Sequence, residues 1–144
     1  MGKTNKTRRL PKSSATVAKD APSIILINPQ LGENIGMAAR AMLNNGLGIL
    51  RLVAPVHGWP NKHAIKPSAG AEVVLDSVQV FDDTKQAVAD LSNVYATTAR
   101  DRDMTKRVLT ARAAAYEMRS VIVAGGRPGM IFGRESWGLS NDDV

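Results

Sequence analysis

Cysteine is absent from this 144-residue chain, which excludes a disulfide framework and a Cys-ligated zinc site and suits a reducing cytoplasm. No apolar run approaches the roughly 18 residues of a membrane-spanning helix, and no leader with an apolar centre is read at its start. A soluble protein is expected. Two phosphate-binding signatures are missing as well. The turn after the first apolar run, Asn28 to Gly36, contains no GxGxxG, and no GxxxxGK followed by Ser or Thr occurs anywhere. The glycine-rich stretch Gly125-Gly126-Arg127-Pro128-Gly129 precedes an apolar run, so it reads as a helix stop and turn. These absences argue against nucleoside triphosphate chemistry. His57 and His63 stand without cysteine or a nearby carboxylate pair, so the segment between them reads as a polar loop and no metal is expected.

What is present suffices for one core: 44% of the residues are hydrophobic, in a length that suits one domain. The net charge of +6 is unevenly spread. Lys3, Lys6, Arg8, Arg9, Lys12 and Lys19 against Asp20 place +5 in the first twenty residues and leave +1 for the rest. Residues 1–21, rich in Ser, Thr and Lys and interrupted by Pro11, are expected to form a basic disordered tail. Such a tail is either a solvated arm or one that touches RNA by counterion release. It lacks the amphipathic stripe of a mitochondrial transit peptide.

From residue 22 onward, short apolar runs alternate with helical spacing. Ile24 to Ile27, Ile49 to Val53, Val78 to Phe81, Val94 to Ala96 and Met130 to Phe132 are predicted strands, the first and last covered on both faces. Ile35, Ala38, Ala39, Met42 and Leu43 recur at helical spacing, and Asn44-Asn45-Gly46 is a stop signal. Further helices are predicted from about Pro67 to Leu75, from Thr84 to Leu91, and from a Thr110 cap through Ile122. Strands alternating with helices predict an α/β domain, a mainly parallel sheet flanked by helices.

Two stretches carry the chemistry: Asn34-Ile35-Gly36-Met37-Ala38-Ala39-Arg40 and Ile131-Phe132-Gly133-Arg134-Glu135-Ser136-Trp137-Gly138-Leu139-Ser140. Each follows an apolar run, and open α/β sheets bind ligands beyond the carboxyl ends of their strands. Gly36 and Arg40 share a helix face, so Arg40 is expected to lie back across the bare glycine toward Asn34 and the positive helix end. There its fork of donors suits a phosphate or a developing oxyanion. The alternative is a surface arginine paired with Glu33 or another carboxylate.

Together the two stretches resemble the SpoU branch of the SPOUT methyltransferases. The family pattern Asn-x-Gly-x-x-Ala-Arg matches Asn34, Gly36, Ala39 and Arg40, and Phe-Gly-x-Glu-x-x-Gly-Leu matches Phe132, Gly133, Glu135, Gly138 and Leu139. Thr97-Thr98-Ala99-Arg100 is similar to the strand-end segment of the subgroup that modifies the tRNA anticodon loop. The resemblance implies 2′-O-methylation of an RNA ribose from S-adenosyl-L-methionine, in the cytoplasm and as a homodimer. It also implies a reaction centre of Asn34, Arg40 and Glu135, and donor contacts from Thr97, Thr98, Ala99 and Gly133. Arg100, Arg102, Lys106, Arg107 and Arg112 are candidate RNA contacts, and Trp59 and Trp137 candidates for stacking on bases. The family's third motif, a Ser-Leu-Asn stretch that closes an α/β knot, does not appear before Val144, which implies a truncated carboxyl end. A tRNA enzyme is the reading the resemblance favours, with an rRNA enzyme and a non-catalytic RNA-binding or dimerisation fragment as the alternatives.

Overall fold

Five short parallel strands form one sheet in the order β3-β2-β1-β5-β4, in a computed structural model that describes residues 18, 20–98 and 106–134. The strands are β1 (Ser23–Ile27), β2 (Leu50–Val53), β3 (Gln79–Phe81), β4 (Asn93–Ala96) and β5 (Pro128–Phe132). The helices are α1 (Gly32–Asn44), α2 (Ile65–Ser68), α3 (Glu72–Asp76), α4 (Thr84–Val88) and α5 (Ala111–Val123). All five predicted strands form, and every neighbouring pair is parallel, as right-handed crossovers through helices require.

Register assigns the two faces. Ile24 lies beside Leu50 and Met130, and Tyr95 beside Met130, so these side chains share a face. On it, Ile35, Ala39 and Met42 of α1 and Val74 and Leu75 of α3 pack with Leu50 and Leu52. Helix α5 covers the far end of the same face, where the Tyr95 hydroxyl donates to Glu117 Oε2 at 3.2 Å. Burial and the neighbouring Glu117 carboxylate both push the Tyr95 phenol above its ordinary pKa. The opposite face carries Ile25, Ile27, Val53 and Ile131 under Ala87 of α4.

Local chemistry sets the helix ends. Asp83 accepts from Gln86 N at 2.8 Å and Thr110 Oγ1 from Ala113 N at 3.1 Å, each relieving an unpaired first-turn amide of α4 and α5. Helix α1 ends in a Schellman arrangement: Leu47 N donates to Met42 O, Gly46 N donates to Leu43 O, and Gly46 takes φ +75°. The single helix expected from Pro67 to Leu75 is instead two. Ala69 and Gly70 adopt φ of +47° and +99°, a left-handed pair no helix continues through, and chain reversal there folds α3 back onto the core. Helix α4 also stops at Val88, short of the expected Leu91.

One charged pair lies inside the second face. Arg51 of β2, with a side chain only 4% exposed, donates from Nη1 to Asp90 Oδ1 at 2.6 Å and from Nη2 to Asp90 Oδ2 at 2.8 Å. Nη1 also reaches Ala87 O at 2.7 Å, while Nε has no partner among the described residues. The Arg51 hydrogen bonds hold the Asp90 carboxyl below its ordinary pKa, against partial desolvation. A depressed carboxyl stabilises the fold above its unfolded pKa, and that contribution disappears as pH falls through the native value. Asp90→Asn is therefore expected to lose about 1–2 kcal/mol at neutral pH, the low end for a charged hydrogen bond because Asp90 keeps contact with water. In urea melts against pH the variant and the parent should converge in acid; a constant difference across pH would contradict the assignment.

Candidate functional site

Because all strands run in one direction, every strand exit opens onto the same carboxyl rim. Four exits meet there through Asn28, Ala54, Thr97 and Gly133. Asn28 ends β1 with φ +46°, a left-handed conformation asparagine tolerates better than most residues. Its Nδ2 donates to Ala54 O beyond β2 at 3.2 Å, and its Oδ1 accepts from Arg134 Nε beyond β5 at 3.2 Å. One side-chain amide thus ties three exits together. At the β4 exit, Thr97 donates twice to Ile131 O, from N and from Oγ1, each at 3.0 Å. With Ala96 opposite Ile131 in register, Thr97 and Thr98 come alongside Phe132 and Gly133.

Three of the four expected donor contacts, Thr97, Thr98 and Gly133, are therefore neighbours at one corner of the rim; Ala99 lies outside the described residues. Thr97 has its hydroxyl committed to Ile131 O, and Gly133 is half-buried with no side chain to block the β5 exit. The corner offers backbone groups more than side chains.

Helix α1 begins on the same rim, four residues after Asn28. Asn34 stands half-buried in its first turn, with its backbone N–H donating to Leu31 O at 3.1 Å. Leu31 supplies no side-chain cap, so the positive end of the helix dipole is turned to the rim with Glu33 as the acid of its first turn. Arg40 is exposed two turns further on, about 12 Å along the axis from Gly32. The expectation that it lies across a bare Gly36 is wrong: Gly36 is buried where α1 meets the turn Lys62–Ala64, and a Cβ there would fall 2.1 Å from Ala64 O. Arg40 instead leaves α1 on its solvent side, beside exposed Met37. The alternative ion pair does not form, since Glu33 Oε1 faces His63 Nδ1 at 3.8 Å and Arg40 joins no carboxylate among the described residues. Glu135 lies outside the described residues.

Of the expected RNA contacts, Arg100 and Arg102 lie outside the described residues. Lys106 is exposed, and Arg107 is held by the Glu117 carboxylate, which reduces it as a free cation. Trp59 is half-buried against the α1 side of the core and borders an open groove with Asn61, Lys62 and Ile65. Trp137 lies outside the described residues. Among the described residues no cluster of metal-ligating side chains occurs and no helix is long and apolar enough to cross a membrane. Sequence reasoning missed Asn28 and Arg134. Asn28 closes the first apolar run and Arg134 sits inside the second motif, so position was the available signal; their bond, 106 residues apart in the chain, was not.

Known proteins share this sequence pattern and fold. Residues 21–144 match the SpoU rRNA Methylase family. Over 125 residues the chain is 37% identical to a tRNA (cytidine/uridine/adenosine-2′-O-)-methyltransferase TrmJ from Pseudomonas aeruginosa, covering 87% of this chain and 48% of that protein. It is 32% identical over 125 residues to a tRNA (cytidine-2′-O-)-methyltransferase TrmJ from Methanocaldococcus jannaschii, covering 85% and 53%. The crystal structure of TrmJ from Z. mobilis ZM4 superposes with a TM-score of 0.79 at 52% identity, covering 86% of this chain and 54% of that one. The chain spans about half the length of the curated relatives it matches.

Proposed function

The chain belongs to the SpoU rRNA Methylase family, and on that premise we propose that it carries the transferase domain of a tRNA 2′-O-ribose methyltransferase using S-adenosyl-L-methionine. The observation that carries the reading is the meeting, on one rim, of the β4 and β5 exits with the open amino end of α1. In this reading Thr97, Thr98, Ala99 and Gly133 hold the methyl donor, largely through backbone groups. The fit is good: the described members of the set are small, and the Thr97 hydroxyl is already spent in bracing the corner.

When bound, S-adenosyl-L-methionine supplies a methyl group already activated on a sulfonium centre. The protein's part is then to hold the ribose oxygen in line, which alone removes much of a bimolecular barrier. Asn34, Arg40 and Glu135 form the reaction centre. A guanidinium stays protonated, so Arg40 orients and stabilises charge; of the three side chains only the Glu135 carboxylate can accept a proton. Arg100, Arg102, Lys106 and Arg107 contact RNA. A homodimer, in the cytoplasm, completes the reading, supported by the exposed apolar Met37 beside Arg40 on α1.

The test is calorimetric titration of the full-length protein with S-adenosyl-L-methionine, followed by methyl transfer to bulk tRNA and to rRNA with the modified ribose mapped. Donor binding and a 2′-O-methyl group in tRNA are expected. Transfer only to rRNA would move the enzyme to the other branch, and RNA binding with neither donor affinity nor transfer would establish the non-catalytic reading.

A further inference from the structure

Helix α5 carries its charges where helix stability does not want them. Arg112 lies in the first turn, where the macrodipole repels a cation; no acid stands in that turn, and no base in the last to balance it. Arg112, Tyr116, Arg119 and Val123 follow at i, i+4, i+7 and i+11, a single stripe opposite the buried Ala114 and Met118. The stripe is exposed, Tyr116 to 68% and Val123 to 83%. Neither arginine joins a carboxylate among the described residues. The only acid of α5, Glu117, points to the side, where Arg107 and Tyr95 occupy it.

We propose that this face of α5 is a docking surface for the RNA substrate, with Arg112 and Arg119 on backbone phosphates and Tyr116 stacked on a base between them. The inference rests on the tRNA reading above and extends it to a surface outside the reaction centre. Charge complementarity selects the occupant: two guanidiniums with no carboxylate partner among the described residues, about 10 Å apart along the helix, with an aromatic ring between them and no acid in the stripe, suit a polyanion whose bases can stack. A second protein surface would leave both guanidiniums to be desolvated unless it brought matching carboxylates. The stripe also leads to the right place. Helix α5 runs antiparallel to the strands, with Glu117 against Tyr95 near the end of β4 and Arg127 against Ser92 before its start, so Arg112 is at the end of the stripe toward the donor corner.

The experiment compares the full-length protein with Arg112→Ala/Arg119→Ala and with Tyr116→Ala and Tyr116→Phe, measuring tRNA affinity across salt, steady-state methylation, donor affinity and oligomeric state. The double variant is expected to bind tRNA at least tenfold more weakly at low salt, and to lower the slope of log affinity on log salt by about 1.5–2. KM for tRNA should rise with kcat and donor affinity unchanged. Tyr116→Ala should cost about tenfold with the slope unchanged, and Tyr116→Phe should restore it. A parent protein that methylates tRNA, paired with a double variant of unaltered affinity and slope, overturns this proposal and leaves the functional reading intact. A change in oligomeric state would overturn it too, by making the stripe a subunit interface. A parent that neither binds nor methylates RNA removes the reading itself.

Discussion

Gly36→Ala is expected to destabilise the fold by about 3 kcal/mol, near the upper end for overpacking a tight contact. The sign is the informative part. In an exposed helix interior the same change stabilises by roughly 0.5–1 kcal/mol, because alanine restricts the unfolded chain and favours the helix. At Gly36 the new methyl carbon would sit 2.1 Å from Ala64 O and 3.1 Å from Pro67 Cβ, and the first of these is backbone, which cannot rotate away. Helix α1 must then separate from the segment Lys62–Ser68, opening the core that Ile35, Ala39 and Ala64 share. For a domain of this size a loss of about 3 kcal/mol lowers Tm by roughly 10 °C. A thermal melt of the variant at or above the parent Tm would show that the two segments are not in contact. The same separation would tilt the amino end of α1 on the rim, so transfer activity should fall with stability.

This contact also marks where sequence reading stopped. Gly36 was visible as part of a motif, and its helix was predicted from the spacing of Ile35, Ala39 and Met42; what the glycine makes room for was not, because Ala64 lies 28 residues away in a turn with no strong signature. The five strands were legible because each is a short apolar run, fully buried in β2 and largely exposed at the edges in β3 and β4, and the cap at Thr110 because a local side chain answers a local amide. Non-local polar pairing was illegible. Arg51 reads as a flaw in an apolar strand until Asp90 is placed beside it, and Asn28 reads as a turn residue until Arg134 closes on it. The break at Ala69 escaped for another reason: alanine is a strong helix former, and the local cue beside it, Gly70, weakens a helix without marking where it ends.

Arg40→Ala is expected to reduce kcat by about two to four orders of magnitude while leaving donor affinity and Tm nearly unchanged. Stability should be spared because Arg40 is exposed, joins no carboxylate among the described residues, and is replaced by a better helix former. Donor affinity should be spared because the donor corner belongs to the β4 and β5 exits, whereas Arg40 leaves the solvent side of α1. What the substitution removes is a permanent charge and a planar set of donors, whose value is greatest on the phosphate or the oxygen of the reacting nucleotide. Arg40→Lys separates the two contributions. A lysine keeps the charge as a single point and loses the fork, so recovery near the parent rate would mean charge alone suffices, and a rate close to that of the alanine variant would mean orientation dominates. Single-turnover transfer with donor and tRNA both saturating is the decisive measurement, since it excludes weaker RNA binding as the cause. A large fall in donor affinity, or a parent-like rate, would take Arg40 out of the reaction centre.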